Sequence, residues 1–341
     1  MEAKSRQASE NRRAAERREA QGSVSEHGNR LHGSTRRYWT RGRAIYGSRH
    51  LMSLYEVIIR DWTTRAPSDV APLAAGRLEQ GDVIFLPHLR FEIAPDETRL
   101  FDPAILGHAK NASFDPQSGR LGRTTLEGAD AERLRALMRR FSDGAAGVVE
   151  ALCPSYAARI RRGRASFRPA EIAGRASSWR KDDTRLHVDS FPATPSGGQR
   201  ILRLFTNVNP EGRPRAWRVG DDFEAVARRF APRLRMPLPG SGRLLALLRM
   251  TKSARTPYDA LMLQLHDRMK ADAEFQSRSP QDAIDFPAGT TWLAFTDQVS
   301  HAAMSGQYQL EQTFLLPVDA MNESCRSPLR VLERIKGRRL A

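Results

Sequence analysis

Two histidines and one aspartate in this 341-residue chain have the residue types and the spacing of a metal site. His187 and Asp189 flank a single valine, and His301 lies 112 residues beyond Asp189. In a β-strand, side chains two residues apart project to the same face, so a strand would present His187 and Asp189 together. One imidazole from a later strand would complete the two-histidine, one-carboxylate set that binds Fe(II) and leaves coordination positions open. The His-x-Asp tripeptide alone fits a solvated turn or a hydrogen-bonded core pair equally well.

The segments around these residues are typical of strands. Residues 285–295 contain a Pro-Ala-Gly turn and then an apolar run, shortly before His301, and residues 309–316 form a second run that Pro317 ends. The ligand-bearing sheet is expected to begin near Arg185 and to resume at residues 201–208, 291–295 and 313–316. This pairing of strands resembles the way in which a double-stranded β-helix oxygenase presents its distal histidine.

Other elements are predicted to surround this sheet. A short buried strand is expected at 81–87, two helices within 129–153 with a break at 142–144, and an entering strand at 166–172. Helical spacing at 221–231 and 257–276 indicates insertions that form a wall of the pocket. His266, in the second insertion, is expected to be a helix-face residue and not a ligand.

Five longer stretches resemble the family of Kdo (3-deoxy-D-manno-oct-2-ulosonic acid) hydroxylases. They are residues 178–192 (SWRKDDTRLHVDSFP), 200–210 (RILRLFTNVNP), 216–220 (AWRVG), 262–272 (MLQLHDRMKAD) and 327–334 (SPLRVLER). The resemblance runs from about residue 52 to the C-terminus. It implies an α+β, mainly β fold with a double-stranded β-helix (jelly-roll, cupin-like) core and flanking helices. It also implies an Fe(II)- and 2-oxoglutarate-dependent dioxygenase with iron ligands His187, Asp189 and His301, which hydroxylates carbon 3 of Kdo in the lipid A-linked inner core of lipopolysaccharide.

The distal carboxylate of 2-oxoglutarate requires a cation. The commonest pattern places an arginine shortly after the distal histidine, where this chain has Gln309 and Gln312. Some relatives carry the cation on the strand after His-x-Asp, where this chain has Arg200 and Arg203. We favour Arg203, which would share a strand face with Phe205 and Asn207 and whose planar guanidinium group matches a carboxylate. The alternative is an arginine that extends from a strand edge into solvent. Three residues are candidates for further hydrogen bonds to 2-oxoglutarate: Gln312, Asn207 and Thr206.

The substrate that the resemblance implies is anionic, because Kdo carries a carboxylate and lipid A carries phosphates. Six residues are candidates to contact it, the cations by charge and the tryptophans by stacking on a sugar: Arg180, Lys181, Arg185, Arg255, Trp179 and Trp217. For each of them, a solvated surface charge or a core aromatic is an equally good interpretation.

The charge balance favours an anionic partner. The chain has 55 Lys and Arg against 39 Asp and Glu, a net charge of +16, which suits nucleic acid, a phospholipid surface or an anionic substrate. With two cysteines, no membrane-length apolar run and no signal sequence, we expect a cytoplasmic protein, peripheral at the inner face of the inner membrane, that does not bind nucleic acid. The apolar stretch 242–250, bracketed by arginines, fits either a membrane interface or a buried helix.

The chain is expected to form one catalytic domain after a basic extension. Residues 1–51 are predicted to be a disordered N-terminal extension, with Met52 as an alternative start, and 52–341 the dioxygenase domain. Within that domain we expect a flank at 52–165, the β-helix core at 166–320 with a helical insertion at about 221–276, and a basic tail at 321–341. Two rival hypotheses are a binding module for anionic lipid or nucleic acid on an inert barrel, and a 2-oxoglutarate oxygenase with another substrate.

Overall fold

The computed structural model describes residues 54–63 and 70–341, so the predicted extension 1–51 and the alternative start at Met52 lie outside the described residues. The strands in this part of the chain are β1 (Leu54–Glu56), β2 (Val83–Leu86), β3 (Ala112–Phe114), β4 (Leu121–Gly122), β5 (Arg161–Arg168), β6 (Arg200–Asn207), β7 (Arg215–Gly220), β8 (Gln281–Phe286), β9 (Thr291–Phe295), β10 (His301–Ser305) and β11 (Gln309–Leu316). The α-helices are α1 (Val70–Gln80), α2 (Gly128–Leu152), α3 (Phe223–Phe230), α4 (Ser241–Leu247), α5 (Pro257–Ala271), α6 (Ala273–Arg278) and α7 (Pro328–Lys336). Short 3-10 helices occupy Pro95–Leu100, Pro103–Leu106, Pro154–Tyr156, Trp179–Lys181, Ala231–Arg233, Val318–Ala320 and Ser324–Arg326.

The strands form two sheets of unequal size. The large sheet has eight strands in the order β1-β2-β9-β6-β11-β5-β3-β4, and the small sheet has three in the order β10-β7-β8. The β1–β2 pair is parallel and the other strand pairs are antiparallel. The fold is therefore a mixed α/β arrangement around one large sheet. The expected N-terminal flank is part of it, because β1 to β4 complete both edges of the large sheet.

Helix α2 packs on one face of the large sheet and is continuous, so the predicted break at residues 142–144 is wrong. Its buried residues recur every three to four positions from Leu134 to Leu152, which keeps one apolar stripe along the helix. Glycine in a helix interior costs about 1 kcal/mol relative to alanine. Here Gly144 lies under the indole of Trp62, so close that a Cβ would lie 2.9 Å from the ring. The missing side chain therefore makes room for a packed tryptophan and does not end the helix.

A second apolar cluster joins the two sheets. Phe205 and Trp292 of the large sheet pack against Trp217 and Phe286 of the small sheet, with Phe286 and Trp292 stacked at a ring distance of 4.0 Å. Residues paired across β6, β9 and β11 share a face, so Arg203 and Glu311 lie on the same face as Phe205. The space between the sheets thus has an aromatic part and a charged part.

Most predicted elements are confirmed, with two corrections besides the helix break. Strands β2, β6, β9 and β11 and helices α3, α5 and α6 lie where the sequence pattern placed them. The entering strand is β5, which ends at Arg168 because Pro169 cannot donate a ladder hydrogen bond. No regular strand begins near Arg185: the amide and carbonyl of Leu186 bond the side chain of Gln276 (2.8 and 2.9 Å), which leaves only an isolated bridge at His187.

The basic tail predicted at 321–341 contains α7, which Gly337 ends in the left-handed conformation (φ 64°). Within the described residues, no helix is both long enough and apolar enough to span a bilayer. The predicted division of residues 52–341 into flank, core and tail stays a prediction.

Candidate metal centre

The predicted ligand set comes together. One ligand atom from each of His187, Asp189 and His301 lies within 4.8 Å of the other two, and in the described part of the chain this is the one such group of metal-ligating side chains. The two imidazole rings are 4.7 Å apart, and His187 Nε2 is 3.9 Å from Asp189 Oδ1. Both histidines are buried, whereas Asp189 is partly accessible. The arrangement matches a facial triad that opens to one side.

Backbone hydrogen bonds position the three ligands without a regular strand at residues 185–190. His187 and His301 exchange two bonds, N to O at 3.0 Å and 2.9 Å, and the amide of Asp189 donates to Thr296 O at 2.8 Å. Each imidazole Nδ1 lies against a carbonyl two residues earlier, Arg185 O for His187 (2.7 Å) and Val299 O for His301 (2.8 Å). Because Nδ1–H donates to these carbonyls, each Nε2 keeps its lone pair for a metal.

The environment favours the metal-binding protonation states. Burial lowers the pKa of His187 well below 6.5 and also lowers the pKa of His301, so both rings are neutral at neutral pH. Burial alone would raise the pKa of Asp189, but the Arg203 guanidinium holds it well below its usual value. The site therefore presents two neutral imidazoles and a carboxylate.

A network of buried charges adjoins the triad. Arg203 Nη1 lies 3.2 Å from Asp189 Oδ2 and 3.4 Å from one oxygen of Glu311, whose other oxygen accepts from Arg168 Nε at 3.0 Å. Buried Arg215 donates to Gly306 O, and burial together with Arg168 lowers its pKa to about 9. Buried donors without a hydrogen-bond partner in this region include Arg203 Nε, Arg215 Nε and Trp217 Nε1. Because Arg203 and Arg215 each keep a buried nitrogen without a partner, the region has donors available for an anion.

Comparison with known proteins decides the family. The sequence profile described as "3-deoxy-D-manno-oct-2-ulosonic acid (Kdo) hydroxylase" matches residues 61–339. The chain belongs to the Kdo hydroxylase family. It is similar to the solved Kdo hydroxylase KdoO, a non-heme Fe(II) α-ketoglutarate-dependent dioxygenase: the cobalt(II) complex is 44% identical with a TM-score of 0.82, and the match covers 84% of this chain and 97% of that one. The complex of KdoO with α-ketoglutarate and Fe(III) is 43% identical, with the same TM-score and coverage. None of the curated proteins matches the chain.

Of the residues predicted to hold 2-oxoglutarate in this Kdo hydroxylase family member, only Arg203 reaches the metal centre. Arg200 lies on the opposite face of β6, fully buried, with its Nε 2.8 Å from Asp297 Oδ2. The other three bind the fold itself, as their partners show: Gln312 donates to Gly163 O and Thr313 O, Thr206 to Thr290 O, and Asn207 to Arg213 O and Phe286 O. Arg200 and Thr206 have even positions on β6 and therefore face away from Arg203. Gln312 pairs with Leu204, so it lies on the same face as these even-numbered residues.

The predicted substrate contacts divide into buried and peripheral residues. Trp217 is stacked on His301 (ring distance 5.1 Å) and buried between the sheets, which agrees with its interpretation as a core aromatic. Arg185 is held by Asp182 and by Lys270 O, and Arg255 by Pro192 O. The remaining three residues, Trp179, Arg180 and Lys181, form the short 3-10 helix before His187. The exposed guanidinium group of Arg180 lies over the ring of Trp179 and pairs with Asp267.

Sequence reasoning missed several charged residues around the triad. Glu311 lies between the two glutamines that we considered, and strand parity could have identified it, together with Arg168 on the neighbouring strand. Lys270 is almost fully buried, and its ammonium group donates to Arg180 O (3.2 Å). His266 is a helix-face residue as predicted, but its ring lies edge-on to His187 at 5.4 Å. Nothing in the local sequence indicates these long-range contacts.

Proposed function

We propose that this member of the Kdo hydroxylase family hydroxylates carbon 3 of Kdo in the lipid A-linked inner core of lipopolysaccharide. Fe(II) is its metal, and 2-oxoglutarate and O₂ are its co-substrates. The observation that carries this proposal is the convergence of His187, Asp189 and His301, with both Nε2 atoms free, on one point between the sheets. Bound Fe(II) supplies the oxidative chemistry, in which decarboxylation of 2-oxoglutarate by O₂ is coupled to hydroxylation of a C–H bond.

The fold and the triad together fit this metal. Two imidazoles and one carboxylate are the ligand set of non-heme Fe(II) oxygenases, and they leave positions for a bidentate 2-oxo acid and for O₂. We further propose that the two sheets form the double-stranded β-helix of these enzymes. The support is the placement of Asp189 against Thr296 and of His187 against His301, which brings ligands from separate segments to one end of the sheets.

Arg203 is the residue that we propose to bind the distal carboxylate of 2-oxoglutarate. Its guanidinium group is already adjacent to Asp189, it is largely buried, and its Nε has no partner. Glu311 keeps Arg203 and Arg168 in place by binding one with each oxygen. The unpartnered nitrogens of Arg215 and Trp217 lie on the same face of β7 and are additional donors for this anion. These groups exclude bulk water and hold the anion next to the triad without any proton transfer.

For the substrate, we propose that the cations outside the triad bind its carboxylate and phosphate groups. Arg180 and Lys181 precede the metal ligands directly and are exposed. Trp179, whose ring Arg180 covers, is suitably placed beside them to contact a sugar. Since the acceptor is a membrane glycolipid and the chain is strongly basic, we also propose peripheral contact with the anionic inner face of the inner membrane, on the cytoplasmic side.

The rival binding-module hypothesis rests on the net charge alone. A module that binds nucleic acid or lipid through surface cations has no need for three ligand atoms within 4.8 Å of one another, nor for neutral histidines. Another substrate for the same oxygenase chemistry is disfavoured by the match of the Kdo hydroxylase profile over residues 61–339.

Anaerobic titration of the protein with Fe(II) and then 2-oxoglutarate tests the metal and the co-substrate. A chelated 2-oxo acid on Fe(II) gives a visible charge-transfer band, which we expect from the parent protein and not from His301→Ala. His88→Ala, which removes an exposed histidine, is the matched control and is expected to keep the band. A folded parent that gives no band would overturn the assignment.

Turnover tests the substrate. With a Kdo-bearing lipid A acceptor, 2-oxoglutarate and O₂, we expect succinate and an acceptor heavier by one oxygen atom. His187→Ala and Asp189→Ala should abolish both products and leave the circular dichroism spectrum unchanged. If either variant retained full activity, the triad would not be the catalytic centre.

A further inference from the structure

The segment of residues 238–250, which we name the leucine segment, exposes apolar side chains to solvent. Among the large hydrophobic residues that the structure describes, seven are exposed, and five of these lie in this segment: Leu238, Leu244, Leu247, Leu248 and Met250. Leu238 and Leu247 are the most accessible, at 80% and 79%. The buried-helix alternative for residues 242–250 is therefore wrong. A concentration of this kind marks a surface that another phase or molecule covers.

The charged residues in the stretch of chain that contains the leucine segment are all cations. Residues 225–258 contain eight Arg and Lys and no Asp or Glu. Arg243 and Arg249 lie within the segment and are exposed, and Lys252 follows it. Leucines flanked by cations match the boundary of an anionic bilayer, where apolar side chains enter the acyl region and cations remain among the headgroups.

The leucine segment is held firmly against the rest of the protein. The amide of Lys252 donates to Ala193 O at 2.9 Å, and Arg255 Nη2 donates to Pro192 O at 2.7 Å. Gly242 packs directly on the carbonyl of Arg255, where a Cβ would clash. Residues 192 and 193 belong to the loop that follows Asp189, so the residues directly after the leucine segment are hydrogen-bonded to the loop beside the metal centre.

We propose that the leucine segment inserts into the headgroup–acyl boundary of a bilayer that contains anionic phospholipid. Helix α4 has seven residues and cannot cross a bilayer, so the insertion is shallow. Through the contacts at Pro192 and Ala193, insertion sets the height and orientation of the triad above the membrane. The proposal deepens, and rests on, the proposed activity toward a membrane glycolipid.

Sedimentation of the full-length protein with lipid vesicles tests this proposal without any turnover. The vesicles contain either phosphatidylglycerol and phosphatidylethanolamine or phosphatidylcholine alone. We expect the parent to bind the anionic vesicles more tightly. The double variant Leu244→Ser/Leu247→Ser should lose about 100-fold in partition coefficient, because each leucine withdrawn from the acyl boundary contributes about tenfold. Leu73→Ser, which removes an exposed leucine from α1, is the matched control and should bind as the parent does.

A second variant separates charge from apolar insertion. Arg243→Ser/Arg249→Ser should weaken binding to anionic vesicles and reduce its dependence on salt, and should not change the weak binding to phosphatidylcholine. Since the leucine variant retains all cations, including those of residues 1–51, a difference between it and the parent reports the leucines.

Three results would overturn the proposal. In the first, the parent stays in the supernatant when vesicles are present. In the second, the leucine variant binds vesicles as the parent does. In the third, the parent is a dimer in solution that the leucine variant converts to a monomer, which would assign the surface to a second copy of the chain. The Fe(II) and 2-oxoglutarate band is measured without lipid. Its presence in a protein that ignores vesicles would refute membrane insertion and leave the proposed activity intact.

Discussion

Replacement of Arg200 by methionine should destabilise the protein and leave 2-oxoglutarate binding unchanged. Arg200 is fully buried, its guanidinium forms two contacts with Asp297 (2.8 and 3.3 Å) and one with Gln298 (2.6 Å), and it lies 3.9 Å above the Phe295 ring. Arg200→Met would leave the buried carboxylate of Asp297 without a counter-charge. Breaking a buried ion pair from one side costs about 3–5 kcal/mol. At about 2–4 °C per kcal/mol for a domain of this size, the thermal midpoint should fall by roughly 6–20 °C.

Urea unfolding followed by circular dichroism measures this loss, and the charge-transfer titration measures 2-oxoglutarate affinity. Burial raises the pKa of Asp297, so the loss should diminish as the pH falls, because protonation removes the uncompensated charge. The double variant Arg200→Met/Asp297→Leu should recover most of the stability, since it removes both charges. Weakened 2-oxoglutarate binding with unchanged stability in Arg200→Met would refute this assignment and return Arg200 to the co-substrate site.

Three further predictions concern the metal centre and its charged surroundings. Arg203→Lys keeps the charge and loses the planar fork, so the KM for 2-oxoglutarate should rise about 10- to 100-fold in initial-rate assays, and an unchanged KM would exclude Arg203 as the anchor. Glu311→Gln leaves Arg168 without the carboxylate that it binds, so the free energy of unfolding measured in urea should fall by about 3–5 kcal/mol. A variant as stable as the parent would show that the Arg168–Glu311 ion pair does not stabilise the fold. Because burial lowers the pKa of His187 and His301, protons should displace bound Co(II) only below pH 6.5, as measured by the visible absorption of the Co(II) complex. Loss of half of the bound Co(II) at or above pH 6.5 would contradict the neutral state of the imidazoles.

The sequence predicts the regular strands well because their apolar runs have a local cause. Strands β6, β9 and β11 are bounded by turn residues and proline, and both kinds of signal act within a few residues. The clustering of His187, Asp189 and His301 was predictable for a different reason, since the two-residue spacing and the family resemblance both pointed to it. Their actual support differs from the expected strand: the backbone at Leu186 binds a glutamine 90 residues away, which no local pattern encodes.

Side-chain partners across the fold account for what the sequence did not predict. The two arginines of β6 differ by three positions, so they face opposite ways, but only the structure shows that one meets Asp297 and the other Asp189. The same limit applies to the leucine segment. Its composition fits a core helix and a membrane-contacting surface equally, and its exposure depends on what the rest of the chain covers.

The reciprocal backbone bonds between His187 and His301 have a consequence for folding. These residues are 114 positions apart, so the chain must close a long loop before the two imidazoles meet. A metal ion held by both rings would then act as a cross-link between distant segments, and it would bind the native state far better than the unfolded chain. At a free metal concentration 100 times the dissociation constant, such binding adds about 2.7 kcal/mol to the free energy of unfolding. Iron limitation would therefore reduce the amount of folded enzyme as well as its activity.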